Sequence, residues 1–68
     1  MTEIIFVVEE APEGGFSARA IGEAIFTQAD TPAELHERVR DAVRCHLDPG
    51  TAPKWIRLHF VRDEVIAA

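Results

Sequence analysis

"IFTQADTPAELHERVRDAV", Ile25–Val43, contains two hydrophobic periods and the corner at which one gives way to the other. Up to Ala29 the residues read as a strand. At Ala29–Asp30–Thr31–Pro32 the chain changes direction. Thr31 suits an N-cap, Pro32 the first helical position and Glu34 the third, which together make a capping box. Beyond it Leu35, Val39, Ala42, Val43 and His46 recur at helical spacing on one stripe. Glu34, Glu37, Arg40, Asp41 and Arg44 fall on the opposite, solvated side, and Asp48–Pro49–Gly50 stops the helix. The corner therefore ends a strand and caps a helix, and needs no catalytic role to explain it.

Working outward, "EIIFVVEE" (Glu3–Glu10) is a β-branched and aromatic run bounded by charges, which signals a strand. Ile4, Phe6 and Val8 face one way while Ile5 and Val7 face the other, so both faces of this strand ask to be covered. "APEGG" (Ala11–Gly15) is a turn, and "FSARAI" (Phe16–Ile21) alternates like a half-buried strand. Gly22–Glu23 has the length of a tight hairpin link before a third strand, Ala24–Ala29. "WIRLHFV" (Trp55–Val61) is the last strand, with Ile56, Leu58 and Phe60 on one face and Trp55, Arg57, His59 and Val61 on the other. "RDEVIAA" (Arg62–Ala68) extends it, frays, or pairs with a neighbouring chain. The expected fold is α+β, in the order β-β-β-α-β, an antiparallel sheet with one helix packed on one face and a single domain over residues 1–68.

A chain of 68 residues has room for one core, and a domain of this size buries only roughly 60% of its unfolded surface. With 47% apolar and 28% charged residues the composition is that of a globular domain. One helix covers only one sheet face, so the second face is expected to join copies of the chain. The candidate oligomer interface is Ile5, Val7, Trp55, His59 and Val61. The net charge of −5 argues against a surface that tracks phosphates and suits a basic protein partner. Cys45 is the single cysteine, so no disulfide closes within the chain, which with the lack of a signal-peptide pattern points to the cytoplasm. The longest apolar run, Ile4–Val8, is too short to cross a bilayer, and no membrane association is expected.

The chemistry-bearing residues form no recognisable constellation. His36, Cys45, His46 and His59 match no zinc-ligand spacing, and adjacent helical positions such as Cys45 and His46 project about 100° apart. His46 is expected on the apolar stripe and Cys45 as a partly buried structural thiol. Glu9, Glu10, Glu13 and Glu23 are candidates to converge near the hairpin ends, where a solvated acidic rim is their ordinary meaning. Gly14–Gly15 lacks both phosphate-loop spacings and links strand to strand. Neither catalytic residue, cofactor nor metal is expected. Two other readings use different residues: an interface pocket built from Glu23, His59 or Cys45 for an enzyme or ligand binder, and an RNA-binding face of Lys54, Trp55, Arg57 and Arg62.

"EGGFSARA" (Glu13–Ala20) followed by "IFTQADTPAELHERVRDAV" resembles the N-terminal domain of HicB-type antitoxins over about the first two thirds of the chain. The shared pattern is a Gly-Gly-aromatic hairpin, an alternating strand, a second strand, an Ala-Asp-Thr corner and an acid-started helix. Gly15, Phe16, Asp30 and Thr31 carry it, as fold-making residues. The resemblance implies a fold related to a partial double-stranded-RNA-binding domain, usually oligomeric. The role it implies is binding and blocking a small basic RNA-cleaving toxin of the HicA type. Where the family commonly has a proline-rich segment ending in Gly-Cys, this chain has only "AIGEA" (Ala20–Ala24), and it reaches Ala68 without the usual DNA-binding domain. DNA binding is therefore not expected, and a stand-alone member without toxin binding is the alternative.

Overall fold

The structure, a computed structural model, describes residues 2–68. The chain runs β1 (Glu3–Glu10), β2 (Phe16–Ala20), β3 (Phe26–Ala29), α1 (Pro32–His46) and β4 (Trp55–Val61). These form one α+β domain: a four-stranded sheet in the order β3-β2-β1-β4 with the helix on one face.

The sheet is mixed where an antiparallel one was expected. β1 pairs with β2 and β2 with β3 antiparallel, whereas β4 lies parallel to β1, with Ile4 beside Ile56, Phe6 beside Leu58 and Val8 beside Phe60. The reason is directional. Two hairpins leave β3 running the same way as β1, and the helical crossover returns the chain to start β4 in that direction again. Landing beside β1 then makes the last pair parallel.

The core is built from one side of each strand and one stripe of the helix. Ile4, Phe6 and Val8 of β1, Ala18 and Ala20 of β2, Ile25, Ala29, and Leu35, Val39 and Val43 of α1 are buried together. Phe6, Val8 and Leu35 are fully enclosed. Phe16, Ala42, Leu47, Ile56 and Leu58 pack partly against this cluster. The small Ala18 and Ala20 let the helix come close to β2, and α1 lies nearest β3 and β2. Phe16 and Phe60 meet edge to face with ring centroids 6.1 Å apart, closing the core at the end of the sheet.

Local chemistry sets the element ends. Thr31 Oγ1 accepts from the Glu34 backbone N–H at 3.2 Å. The Glu34 carboxylate turns away from the cap and accepts from Arg38 Nε at 2.8 Å, one turn on. The helix closes at Leu47, whose N–H reaches the Val43 carbonyl. His46 is exposed in the last turn, so the apolar stripe ends at Val43, and Cys45 is exposed as well. Strand β3 is shorter than expected, starting at Phe26. A wider turn over 21–25 precedes it, in which the Ala20 N–H reaches the Ile25 carbonyl and the Ile25 side chain drops into the core. Gly15 holds φ at +86°, and a Cβ there would stand 3.2 Å from the Ala29 carbonyl oxygen, so this glycine is required twice over.

Truncating the centre of the core should nearly unfold so small a domain. Leu35→Ala is expected to cost about 2–5 kcal/mol and Phe6→Ala about 3–5 kcal/mol, against about 1 kcal/mol for loss of the cap in Thr31→Ala. Urea titration followed by circular dichroism checks the order; a cap variant more damaging than either core variant would place the stability elsewhere.

Candidate interaction surface

The side of the sheet away from the helix is uncovered. Strand alternation and register place its residues in rows across the four strands. One row runs Phe26, Arg19, Val7, His59; the next runs Gln28, Ser17, Glu9, Val61. Ile5 lies beside Arg57, and Glu3 beside Trp55. The five residues named from sequence, Ile5, Val7, Trp55, His59 and Val61, thus share one face. Trp55 is 71% exposed and Val61 and Ile5 a little over a third. The sequence reading missed two apolar members, Ile21 and Phe26, the latter 62% exposed. Their signal lay in the cross-strand register, which sequence alone does not supply.

Charge on this face is partly neutralised. The Arg57 guanidinium engages the Glu3 carboxylate through both nitrogens, Nε donating to Oε1 and Nη2 to Oε2, the latter at 3.3 Å. The hydrogen bond from Arg57 holds the Glu3 carboxyl below its ordinary value of 4.5, and Glu3 in turn raises Arg57. The pair ties β1 to the outer strand where nothing else covers them.

Acidic residues gather at one end of the sheet only. Glu9, Glu10, Ala11 and Pro12 form a shallow hollow with Val61, Arg62, Asp63 and Val65, and Glu13 follows in the turn where the Gly14 N–H bonds the Ala11 carbonyl. Glu23 lies at the other end, in the turn where the Ile21 N–H bonds the Ile5 carbonyl, beside Glu3 and Ile5. The four glutamates therefore do not converge. The other groupings considered from sequence are also dispersed. Cys45 is on the helix, whereas His59 is on the open sheet face and Glu23 in the β2–β3 turn. Of the basic set, Lys54 lies at the start of β4, Arg57 is paired with Glu3, and Arg62 sits among the acids beyond the strand's end. Among the described residues no three His, Cys, Asp or Glu side chains cluster as metal ligands. None of the described helices is long and apolar enough to cross a membrane.

A second feature borders the open face. Between α1 and β4 runs a groove of about 460 Å³, lined by His36, Val39, Arg40, Pro53, Lys54, Trp55, Ile56 and Leu58. Val39, Ile56 and Leu58 form its floor, and the basic side chains stand at its rim.

Comparison with known proteins gives the chain its relatives. It is 46% identical over 65 residues to a UPF0150 protein of Thermotoga maritima, covering 96% of this chain and 91% of that protein. A UPF0150 protein of Archaeoglobus fulgidus is 53% identical over 51 residues, 75% of this chain and 76% of that one. The chain belongs to the UPF0150 family. No family model and no solved structure matches it. The matched 65 residues span nearly the whole of this UPF0150 chain, its strands and helix included.

The Glu3–Arg57 pair gives this UPF0150 protein a specific acid response. Folding lowers the Glu3 pKa, so the pair's contribution is present above the unfolded value and is lost as pH falls through the lowered, folded one. Glu3→Gln is expected to flatten that part of the acid limb in stability–pH curves from denaturant titrations. Curves of identical slope for both proteins would mean the pair adds nothing in solution.

Proposed function

We propose that this UPF0150 chain is a non-catalytic, cytoplasmic protein-binding module of the HicB-like type. It associates with itself through the open sheet face, and its partner is a small basic protein of the RNA-cleaving toxin class. The observation that carries the reading is the open face itself. A strand apolar on both sides, β1, has one side sealed by the helix, while the other leaves Ile5 and Val7 among exposed Phe26, Trp55 and Val61. Exposed apolar side chains grouped on one flat surface mark a protein contact more than a small-molecule site, which is concave.

The charge distribution supports a basic partner. Glu9, Glu10, Glu13, Asp63 and Glu64 share one end of the molecule, with Arg62 the basic residue among them. Such a concentration of one sign steers an oppositely charged protein and raises its association rate more than its final affinity. This arrangement suits a protein that blocks another's cationic RNA-binding surface by occupying it.

Two measurements test the reading. In the first, the tagged chain is recovered from its native lysate and its companions identified. A stoichiometric small basic protein whose RNA cleavage stops when the purified chain is added back is the expected result; recovery of the chain alone would remove the inhibitory role. In the second, Ile5→Glu and Val7→Glu are compared with the parent by native mass. Burying an unpaired carboxylate at an apolar contact is strongly unfavourable, so the assembly should dissociate while the circular dichroism is retained. Folded variants with the parent's mass would show that copies do not meet on this face.

A further inference from the structure

Strand β4 ends the sheet without finishing the core. In the order β3-β2-β1-β4 its outer backbone groups face no further strand, and seven residues make a long edge to leave open. On its helix side Ile56 and Leu58 are only half-buried, because the groove separates them from α1. The ion pairs of the described residues are Arg38–Glu34, Arg44–Asp41 and Arg57–Glu3, so Arg40 and Lys54 at the groove's rim are unpaired.

The chain carries a segment of complementary chemistry. Beyond Val61 it continues as Arg62–Asp63–Glu64–Val65–Ile66, two acids followed by two aliphatics, outside any strand. Val65 is 96% and Ile66 78% exposed. The molecule is 51 Å long, whereas β1, its longest strand, accounts for roughly 26 Å at about 3.3 Å per residue. The tail supplies much of the difference by running on past the sheet.

The tail cannot lay its aliphatic pair in its own groove. A reversal takes at least about two residues. With Arg62 and Asp63 in that turn, Glu64 returns beside Val61, Val65 beside Phe60 and Ile66 beside His59. Lys54 and Ile56 lie further along the strand and stay out of reach.

We infer that residues 62–68 of a second copy occupy the edge of β4 and its groove, reciprocally, with the two β4 strands antiparallel about a two-fold axis. Setting Ile66 of one copy opposite Ile56 of the other fixes the register. Val65 then falls opposite Arg57, Glu64 opposite Leu58 and Asp63 opposite His59. Strand alternation puts Ile66 and Glu64 on the helix side. There Ile66 covers Ile56, and Glu64 faces the rim that carries His36 and Arg40. Val65 falls on the other side, next to Trp55. The exchange pairs the open edge of both copies and covers both unfinished ends of the core. It depends neither on a basic partner nor on the open-face contact, which involves the opposite surface of β1.

Trp55, the chain's one tryptophan, lines the groove and reports its occupancy. The test combines Val65→Asp with Ile66→Asp, two exposed positions whose change leaves the fold intact, and compares native mass and Trp55 emission on dilution. Measurements are made in the parent and in the Ile5→Glu background, so that the two contacts are separated. The double variant is expected to lose one association step in both backgrounds, its dissociation constant rising at least about tenfold, the equivalent of roughly 1.4 kcal/mol. A synthetic peptide of residues 62–68 added to the double variant should shift Trp55 emission to the blue and saturate. Charge reversal supplies the second arm. Arg40→Glu should weaken association, and adding Glu64→Lys should restore it. An unchanged mass and dissociation constant in the double variant, or no response of Trp55 to the peptide, would overturn the exchange and leave the groove to a different occupant.

Discussion

A helix of 15 residues is roughly 22 Å long and about 10 Å across with its side chains, whereas four strands at about 4.8 Å spacing set the outer strand axes some 14 Å apart. One helix therefore cannot seal even one face of this sheet completely. It settles over β3 and β2, where Ala18, Ala20 and Ala29 allow close approach, and seats Leu35, Val39 and Val43 on Phe6 and Val8. The exposed apolar surface of the sheet follows from that placement. The reverse face stays open because there is no second layer. The groove along β4 stays open because the one layer is too narrow to reach it.

β1 bears the consequences most directly. It is the longest strand and lies inside the sheet between β2 and β4, and its side chains are apolar on both faces. On the helix side Ile4, Phe6 and Val8 are removed from water, each worth roughly 1.5–3 kcal/mol of transfer free energy. On the other side Ile5 and Val7 gain only the shelter of neighbouring side chains and of the Glu3–Arg57 pair. A domain that buries so limited a fraction of its surface has little stability to spare. Exposed aliphatics in its central strand make physical sense when a second surface removes them from water.

The elements of this fold were largely legible in the sequence because they are local. The period change at Asp30–Thr31, the Thr31 cap and the alternation of β1, β2 and β4 depend on neighbours a few residues apart, and the element order follows from them. What was not legible depends on long-range geometry. The parallel pairing of β4 with β1 follows from where the crossover lands, which no local pattern states. His46 continues the apolar spacing on paper, but the helix has by then passed the edge of the core, so it stands in water. Glu23 looked like a companion of Glu9, Glu10 and Glu13 because all lie near turns, yet successive turns of a meander fall at opposite ends of the sheet. Phe26 and Ile21 joined the open face only once the register of β2 against β3 and β1 was known.

Net charge misleads in the same way. A chain at −5 should repel its own copies if its charge were spread evenly. The acids are instead gathered towards Glu9, Glu10, Asp63 and Glu64 at one end, while Arg40 and Lys54 are near the other end of β4. Interactions between exposed charges fade over about 8 Å at physiological ionic strength, a small fraction of the molecule's 51 Å length. Each end is therefore felt as its own charge and not as part of the total. Contacts that bring the acidic tail of one molecule to the basic rim of another are electrostatically favourable despite the negative sum. Contacts that bring two acidic ends together are not. The antiparallel arrangement proposed for the β4 strands meets the first condition through Glu64 and the Arg40 rim, whereas its two-fold axis at Val61 sets Glu9 of the two copies on either side of it, so the aliphatic side chains supply the attraction.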